Sequence, residues 1–372
     1  MFRLIVSVWL LLLPLAAQAQ DCAPPPDLKD GWRIASPQSQ GMDAALLCAI
    51  GARFEAWKEA NAHSVLVLRN GQLVYERYFT GEDYRWGNPL GSVTHDATKP
   101  HDLRSISKSV VSLLVGIAVD RGWISLDQSV FAFFPEHADL RTPAKDAITI
   151  RHLLTMSAGL EWNEDLPYSN PRNSETAMNN APDAARYVLG LPLMSTPGQV
   201  YNYSGGSAEV LAAILQKVSG RRIDVLSRDE LFAPLGIAGS EWVSWRERPV
   251  VASGLRLRPR DLARIGQLVL DKGRWQGQQI VSENWIAESI APQINGQGVF
   301  FYGYQWWLGR SLVEKRETVW AAGYGHGGQR LYILPEQNIV IVVHAGLYAS
   351  PLQGAVGHII LNRHVLPAVS IR

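Results

Sequence analysis

RSISKSVVSLLVGIAV, residues 104–119, decides how this chain is read. Ser105 and Lys108 stand three positions apart, and on a helix such positions share a face, so the amine can reach the hydroxyl. Residues 110–119 are apolar almost all round, the pattern of a helix buried within its domain. Burial disfavours an ammonium ion, so an amine at the foot of such a helix is expected to rest uncharged and to accept the serine's proton. Ser105 would also sit where the helix begins, and unpaired backbone N–H groups there favour a developing oxyanion. The competing reading is a plain helix start, because serine is an ordinary N-cap and Lys108 is then a solvated first-turn residue. The spacing also arises by chance, so other residues have to decide.

Working outward, the chain has 372 residues, 47% hydrophobic and 19% charged, with a formal net charge of +1. That is ordinary globular composition, enough for a large core and about two domains. No block of like charges marks a nucleic-acid binder, so the expected partner is a small molecule or short peptide. Residues 1–20, MFRLIVSVWLLLLPLAAQAQ, read as a secretory signal, with Arg3 in front, an apolar run too short to span a bilayer, and Ala17 and Ala19 at the cleavage region. The mature protein is therefore expected to be exported, periplasmic or secreted, with no membrane span. The chain has 2 cysteines, Cys22 and Cys48. They are too few for a metal site, and in an oxidising compartment they are candidates for a disulfide.

Element patterns suggest the architecture. Residues 21–40 read as an extended leader. Residues 41–60 carry apolar positions at helical spacing, and HSVLVLRNGQLVYERYF, residues 63–79, is a hairpin turned at Asn70-Gly71. Helices are expected over 106–121, 149–156, 207–219 (stopped by Gly220) and 259–271 (begun by Pro259). Strands return in YGYQWWLG, QRLYILP and NIVIVVHAGL, and a last helix is expected over 351–363. The order strands, helices, strands implies an α+β fold, in which an antiparallel sheet flanked by helices carries an inserted, mostly helical lobe. The expected division is 41–100 with 285–372 for the sheet domain and 101–284 for the insert, with a ligand cleft between them.

Two further stretches bear on the serine. YNYSGGSAEVLAAILQKVSG, residues 201–220, puts Tyr203 in a small-residue loop before a helix, and AAGYGHGGQRLYILP, residues 321–335, puts His326, Gly327 and Gly328 before a strand. Ser-x-x-Lys, then Tyr-Ser-Gly, then His-Gly-Gly resembles the serine β-lactamase and penicillin-binding-protein superfamily. The likeness is to its class C β-lactamase-related branch, which includes esterases and 6-aminohexanoate-dimer hydrolases. ITIRHLLTMSAGLEW, LFAPLGI and ASGLRLRPRDLARIGQLVLDKGRWQGQQIVSENWI extend it over residues 103–343.

The resemblance implies a β-lactamase/transpeptidase-like fold and a serine hydrolase without metal or organic cofactor. It implies Ser105 as the acylated nucleophile, Lys108 as its activator and Tyr203 as the proton shuttle. It implies His326, Gly327 and Gly328 as a cleft wall, and the backbone N–H groups of Ser105 and Gln329 as the oxyanion hole. The sequence departs from the branch at two points. Gly205 stands where class C enzymes have an asparagine, and His326 stands where they have a lysine. An ester or linear amide is therefore the expected substrate. The alternatives are a D,D-peptidase or weak β-lactamase, and a catalytically silent ligand-binding protein. At least two of Trp162, Tyr168, Tyr302, Trp306, Trp307 and Tyr324 are expected to line the cleft.

Overall fold

A computed structural model describes residues 23–369. The expected signal segment and Cys22 lie outside the described residues. Cys48 is disulfide-bonded.

The strands that build or adjoin the site are β1 (Arg33–Ile34), β2 (Ala62–Arg69), β3 (Gln72–Tyr78), β4 (Thr80–Arg85), β5 (Asn88–Thr94), β6 (His101–Asp102), β7 (Glu241–Trp242) and β8 (Leu255–Leu257). They are followed by β9 (Ile294–Asn295), β10 (Phe301–Tyr302), β11 (Trp307–Val313), β12 (Arg316–Gly325), β13 (Gln329–Leu334) and β14 (Ile339–Ala345). A nine-stranded sheet runs β1-β3-β2-β14-β13-β12-β11-β10-β9. All of its neighbours are antiparallel except β1 with β3. The α+β expectation holds, and N- and C-terminal strands meet where β2 pairs β14, from Ile339 opposite Arg69 to Ala345 opposite Ala62.

Local chemistry explains the elements. Asn70 (φ 53°) and Gly71 (φ 70°) both take left-handed conformations, the two-residue turn whose twist suits a hairpin. Alternate residues of a strand face opposite sides, and here both sides are covered. Leu66, Leu68, Val340 and Val342 point into one apolar core, whereas Val65, Val67, Ile341 and Val343 point into another. That two-sided burial is why these strands read as continuous apolar runs.

The first core is shared with α2 (Ile106–Asp120) and α4 (Pro259–Leu270), and the second with α1 (Ala44–Ala56) and the helical C-terminus. Between α2 and α4 lies α3 (Gly205–Ser219), ended by Gly220 in a left-handed conformation. Helix α4 comes from within the expected insert but packs on the sheet, with Gly266 facing Val340 and Leu331. The leader is less extended than expected. Trp32 is buried and its indole donates to Arg260 O, while Arg33–Ile34 adds a strand to the sheet edge. The polar hairpin β4–β5 was not anticipated at all. Among the described residues no helix is long and apolar enough to cross a membrane.

Helix α2 is buried along nearly its whole length, and Gly116 lets the Trp285 ring lie against it. A Cβ at that position would fall 2.5 Å from Trp285 Nε1. Gly116→Ala should therefore destabilise the protein by ~1–3 kcal/mol through overpacking, although alanine normally favours a helix over glycine by ~1 kcal/mol. Urea denaturation of the two proteins checks the sign.

Candidate active site

The link from β6 into α2 bends at Arg104, whose φ of 51° is unusual for a residue with a side chain and is the kind of strain that clusters at functional turns. Ser105 follows and makes no side-chain capping bond, so the plain helix-start reading fails. Its neighbours have structural tasks instead. Ser107 Oγ donates to Arg104 O (2.6 Å) and accepts from Leu255 N (3.1 Å), while Ser109 Oγ donates to Gln305 O (2.7 Å). Ser105 is the one that faces the lysine. Lys108 Nζ donates to Ser105 Oγ at 2.9 Å and to Ala252 O at 3.0 Å, and the lysine is only 1% exposed. Glu209 on α3 holds the loop that presents this carbonyl, accepting from Val251 N (2.8 Å) and Ala252 N (3.3 Å).

Tyr203 stands just before α3, where Ser204 caps the helix by accepting from Ser207 N. Lys108 Nζ lies 5.0 Å from the centroid of the Tyr203 ring, so the tyrosine stands beside both the amine and the serine it bonds. The ring stacks on Trp307 (centroids 5.6 Å apart), which in turn stacks on Tyr324 (5.7 Å). Tyr203, distant in sequence, thus stands beside the Ser105–Lys108 pair.

The charge on the amine differs from expectation. Burial does push Lys108 toward the neutral form, but its interactions with Tyr203, Glu175 and Glu164, of which only Glu175 is held in its charged form, outweigh it and hold the amine above its ordinary pKa. Lys108 rests as an ammonium ion. Burial raises the Tyr203 phenol too, against the opposing pull of Lys108, so the tyrosine rests protonated.

Glu164 and Glu175 were missed in the sequence, and the reason they fit is Gly205. A Cβ on Gly205 would lie 2.7 Å from Glu175 Oε2 and 3.0 Å from Glu164 Oε1. Two carboxyls therefore occupy the space beside the position where the resemblance calls for an asparagine side chain. Glu175 Oε1 accepts from Ser253 Oγ (2.7 Å) and Glu164 Oε2 accepts from Gly205 N (3.1 Å). The remaining oxygens, Glu164 Oε1 and Glu175 Oε2, are both buried without a donor among the described residues. One proton shared between them satisfies both. Burial drives Glu164 up and leaves it protonated, while Glu175, despite the same burial, is held down by the hydrogen bond from Glu164 and the charge of Lys108. The buried ammonium thus has one buried counter-charge.

A cleft of about 750 Å³ opens over Ser105. Trp162, Tyr168, Trp307 and Tyr324 line it together with Tyr201 and Tyr203, whereas Tyr302 and Trp306 are core. His326 lines the cleft, 5.4 Å from Tyr168 between ring centroids. Burial and the nearby Arg104 guanidinium push its imidazole down to about 4, so it forms a neutral wall at ordinary pH. Gly327 and Gly328 are placed differently from expectation. With φ values of 87° and 94° they close the β12–β13 turn, packed against Tyr348 and Ala345. Gln329 is fully buried, pairs with Gly325, and clamps Ala345 through its amide. The end of β12, Tyr324 and Gly325, lines the cleft together with His326, the residue after it.

The Beta-lactamase family profile matches residues 55–347, which takes in Ser105, Lys108, Tyr203, Glu164, Glu175 and His326. The chain belongs to the Beta-lactamase family. Among curated members it is 26% identical over 310 residues to the 6-aminohexanoate-dimer hydrolase of Paenarthrobacter ureafaciens, covering 77% of this chain and 72% of that protein. It is 25% identical over 192 residues to the lovastatin esterase of Penicillium rubens, covering 46% of each. Among solved structures it superposes on EstCE1, described as a hydrolase with promiscuous acyltransferase activity, with a TM-score of 0.70, 17% identity, and coverage of 90% of this chain and 99% of that one. A penicillin-binding protein from Bacillus halodurans gives a TM-score of 0.64 at 16% identity, covering 85% and 99%. These β-lactamase and penicillin-binding-protein folds agree with the architecture described above.

The carboxyl pair sets a pH dependence. Activity that needs a proton to leave Lys108 or Tyr203 is low while both are protonated and rises as pH rises through their pKa. The negative charge beside Lys108 holds that limb at high pH, so removing it should move the limb to lower pH. In the double variant Glu164→Gln, Glu175→Gln the rising limb of kcat/KM for a neutral ester should shift acid by about one unit or more, as a pH–rate profile would show.

Proposed function

We propose that this Beta-lactamase-family chain is an exported serine hydrolase that cleaves an ester or a linear amide through an acyl-enzyme on Ser105. The observation that carries this reading is the 2.9 Å hydrogen bond from a fully buried Lys108 to Ser105 Oγ. A serine that merely starts a helix has no use for a buried cation.

The chemistry follows from the resting charges. Lys108 and Tyr203 titrate as a pair, and loss of one proton from that pair creates the base. As Ser105 Oγ bonds to the substrate carbonyl carbon, its proton passes to the pair. Negative charge gathers on the carbonyl oxygen, opposite the Ser105 backbone N–H at the foot of α2. The second donor falls to the cleft-lining end of β12 and the residue after it, 324–326, in preference to buried Gln329. Collapse of the tetrahedral species breaks the carbonyl–oxygen or carbonyl–nitrogen bond, and the pair returns the proton to the leaving group. Water then attacks the acyl carbon, gives a proton to the pair, and releases the acid as Ser105 regains its hydrogen.

Two features favour an ester or linear amide over a β-lactam or stem peptide. His326 is neutral, so this wall offers no fixed cation to a substrate carboxylate. Arg330, which also lines the cleft, already donates to the carbonyl oxygens of Gly325, Gln329 and Gln353. The aromatic lining suits an acyl or alcohol part with apolar surface. Export is supported by the signal-like pattern of residues 1–20 and by the disulfide at Cys48, a bond at home in oxidising compartments.

Incubation with a fluorophosphonate should add one adduct on Ser105, and Ser105→Ala should lose both the adduct and at least ~10³-fold of p-nitrophenyl ester turnover. Intact-protein mass spectrometry reads the first and steady-state kinetics the second. Labelling that survives in Ser105→Ala contradicts the assignment. Labelling by a fluorescent penicillin with no ester turnover points to the D,D-peptidase reading, and inertness to every probe to the silent binding protein.

A further inference from the structure

Away from the cleft, β2, β4, the residue after β5, and β6 bring together His63, Asp83, His95 and His101, all buried, with one ligand-type atom of each within 4.8 Å of the others. Asp83 Oδ1 lies 3.8 Å from His63 Nδ1 and 3.5 Å from His101 Nε2, and Asp83 Oδ2 lies 3.9 Å from His95 Nε2. Donor atoms about 2.0–2.2 Å from a tetrahedral zinc ion are separated from one another by about 3.3–3.5 Å. The set is therefore close to ligand spacing without a metal being invoked to draw it together.

The hydrogen bonding shows which nitrogens carry protons. His63 Nε2 faces Asn61 Oδ1 at 3.3 Å, and that amide's orientation is fixed because Asn61 Nδ2 donates to Glu82 O and Gly346 O. His101 Nδ1 faces Asp102 O at 2.9 Å. Each ring thus holds its proton on the outer nitrogen, toward an oxygen acceptor. The inner nitrogens, His63 Nδ1 and His101 Nε2, are left 2.8 Å apart with lone pairs facing each other. Two such lone pairs repel unless they share a proton or both turn toward one metal ion. His95 Nε2 is likewise buried with no hydrogen-bond partner among the described residues, on a residue 8% exposed. The Asp83 carboxylate, 3% exposed, accepts from Tyr84 N (2.8 Å) and otherwise faces these three imidazoles, so a buried negative charge faces groups that carry none when neutral.

We propose that His63, Asp83, His95 and His101 form a structural binding site for a divalent first-row metal ion, with zinc as its occupant. Three imidazoles and one carboxylate are ligand types that zinc prefers. Four protein ligands close the coordination shell, and their burial leaves no position for substrate, so the role is structural. The outer contacts to Asn61 and Asp102 orient the rings as second partners of metal-bound histidines do. The surroundings are cleared for them too. A Cβ on Gly81 would fall 2.9 Å from His63 Nε2, and one on Gly346 2.8 Å from His63 Cε1. His344 stacks flat on His101, 4.5 Å away, and hydrogen-bonds Ser64 outside the set. The ion would staple the polar β4–β5 hairpin to the main sheet and pin β6, whose next residues lead into Ser105.

The test uses the full chain purified without a polyhistidine tag. It is stripped with a chelator, dialysed, and reloaded with zinc chloride alone or cobalt(II) chloride alone. The expected results are stoichiometric zinc by mass spectrometry of the metal, a fall in Tm on stripping that zinc reverses, and the intense visible bands of tetrahedral cobalt(II). His95→Ala and Asp83→Asn should each lose the bound zinc and the zinc-dependent rise in Tm. Should either variant fail to fold, the wild-type metal content and cobalt spectrum decide. Substoichiometric zinc in the reloaded wild type with an unchanged Tm, or equal zinc retention in both variants, overturns the site.

Discussion

The structure turns on one buried cation. Lys108 Nζ is enclosed among Ser105 Oγ, the Ala252 carbonyl and the Tyr203 ring, and a charge removed from water at that depth is stable only with compensation nearby. The compensation comes from different parts of the chain. Glu175 and Glu164 arrive from the segment between α2 and α3, Tyr203 from the foot of α3, and Ala252 from a loop that Glu209 holds. Removing any of them disturbs the others, because all act on the same few cubic ångströms.

The large sheet makes that enclosure possible. Strands β2 and β14 are buried on both faces, so α2 and α4 press on one side and α1 with the C-terminal helices on the other. A helix as apolar as α2 has no alternative to such a position, and its N-terminus then lies against the end of β12. The contact there is close, with Gly323 against Ile106 and Ser109. The aromatic stack of Tyr203, Trp307 and Tyr324 continues this wall into the cleft. It shields the Ser105 end of the lysine while leaving room for a substrate.

What the sequence discloses is what local chemistry alone controls. The Asn70-Gly71 hairpin, the helices begun by Pro259 and ended by Gly220, and the Ser105–Lys108 spacing are visible because each depends on residues within a turn or two. Tyr203 is visible through resemblance rather than periodicity. Glu164 and Glu175 are not, because their partnership exists only where Gly205 leaves room, and no spacing rule encodes that vacancy. The same holds for His63, Asp83, His95 and His101. They lie on four strand-derived segments, and the β4–β5 hairpin that carries two of them to the cluster is polar and shows none of the β-branched alternation by which strands are recognised. The misread charge of Lys108 has one cause. Burial was visible in the apolar run of α2, but the carboxyls that reverse its effect were not.

The account therefore rests on an ammonium ion, held charged in the interior by an anionic partner and hydrogen-bonded to the nucleophile. Lysine-selective isotope labelling of the full chain, with the Lys108 signal assigned by its absence in Lys108→Met, lets NMR follow that amine directly through a pH titration. The account predicts that Lys108 is protonated at neutral pH and titrates above the range in which an exposed lysine loses its proton. A Lys108 signal that titrates below pH 8, the mark of an amine neutral at rest, would contradict it.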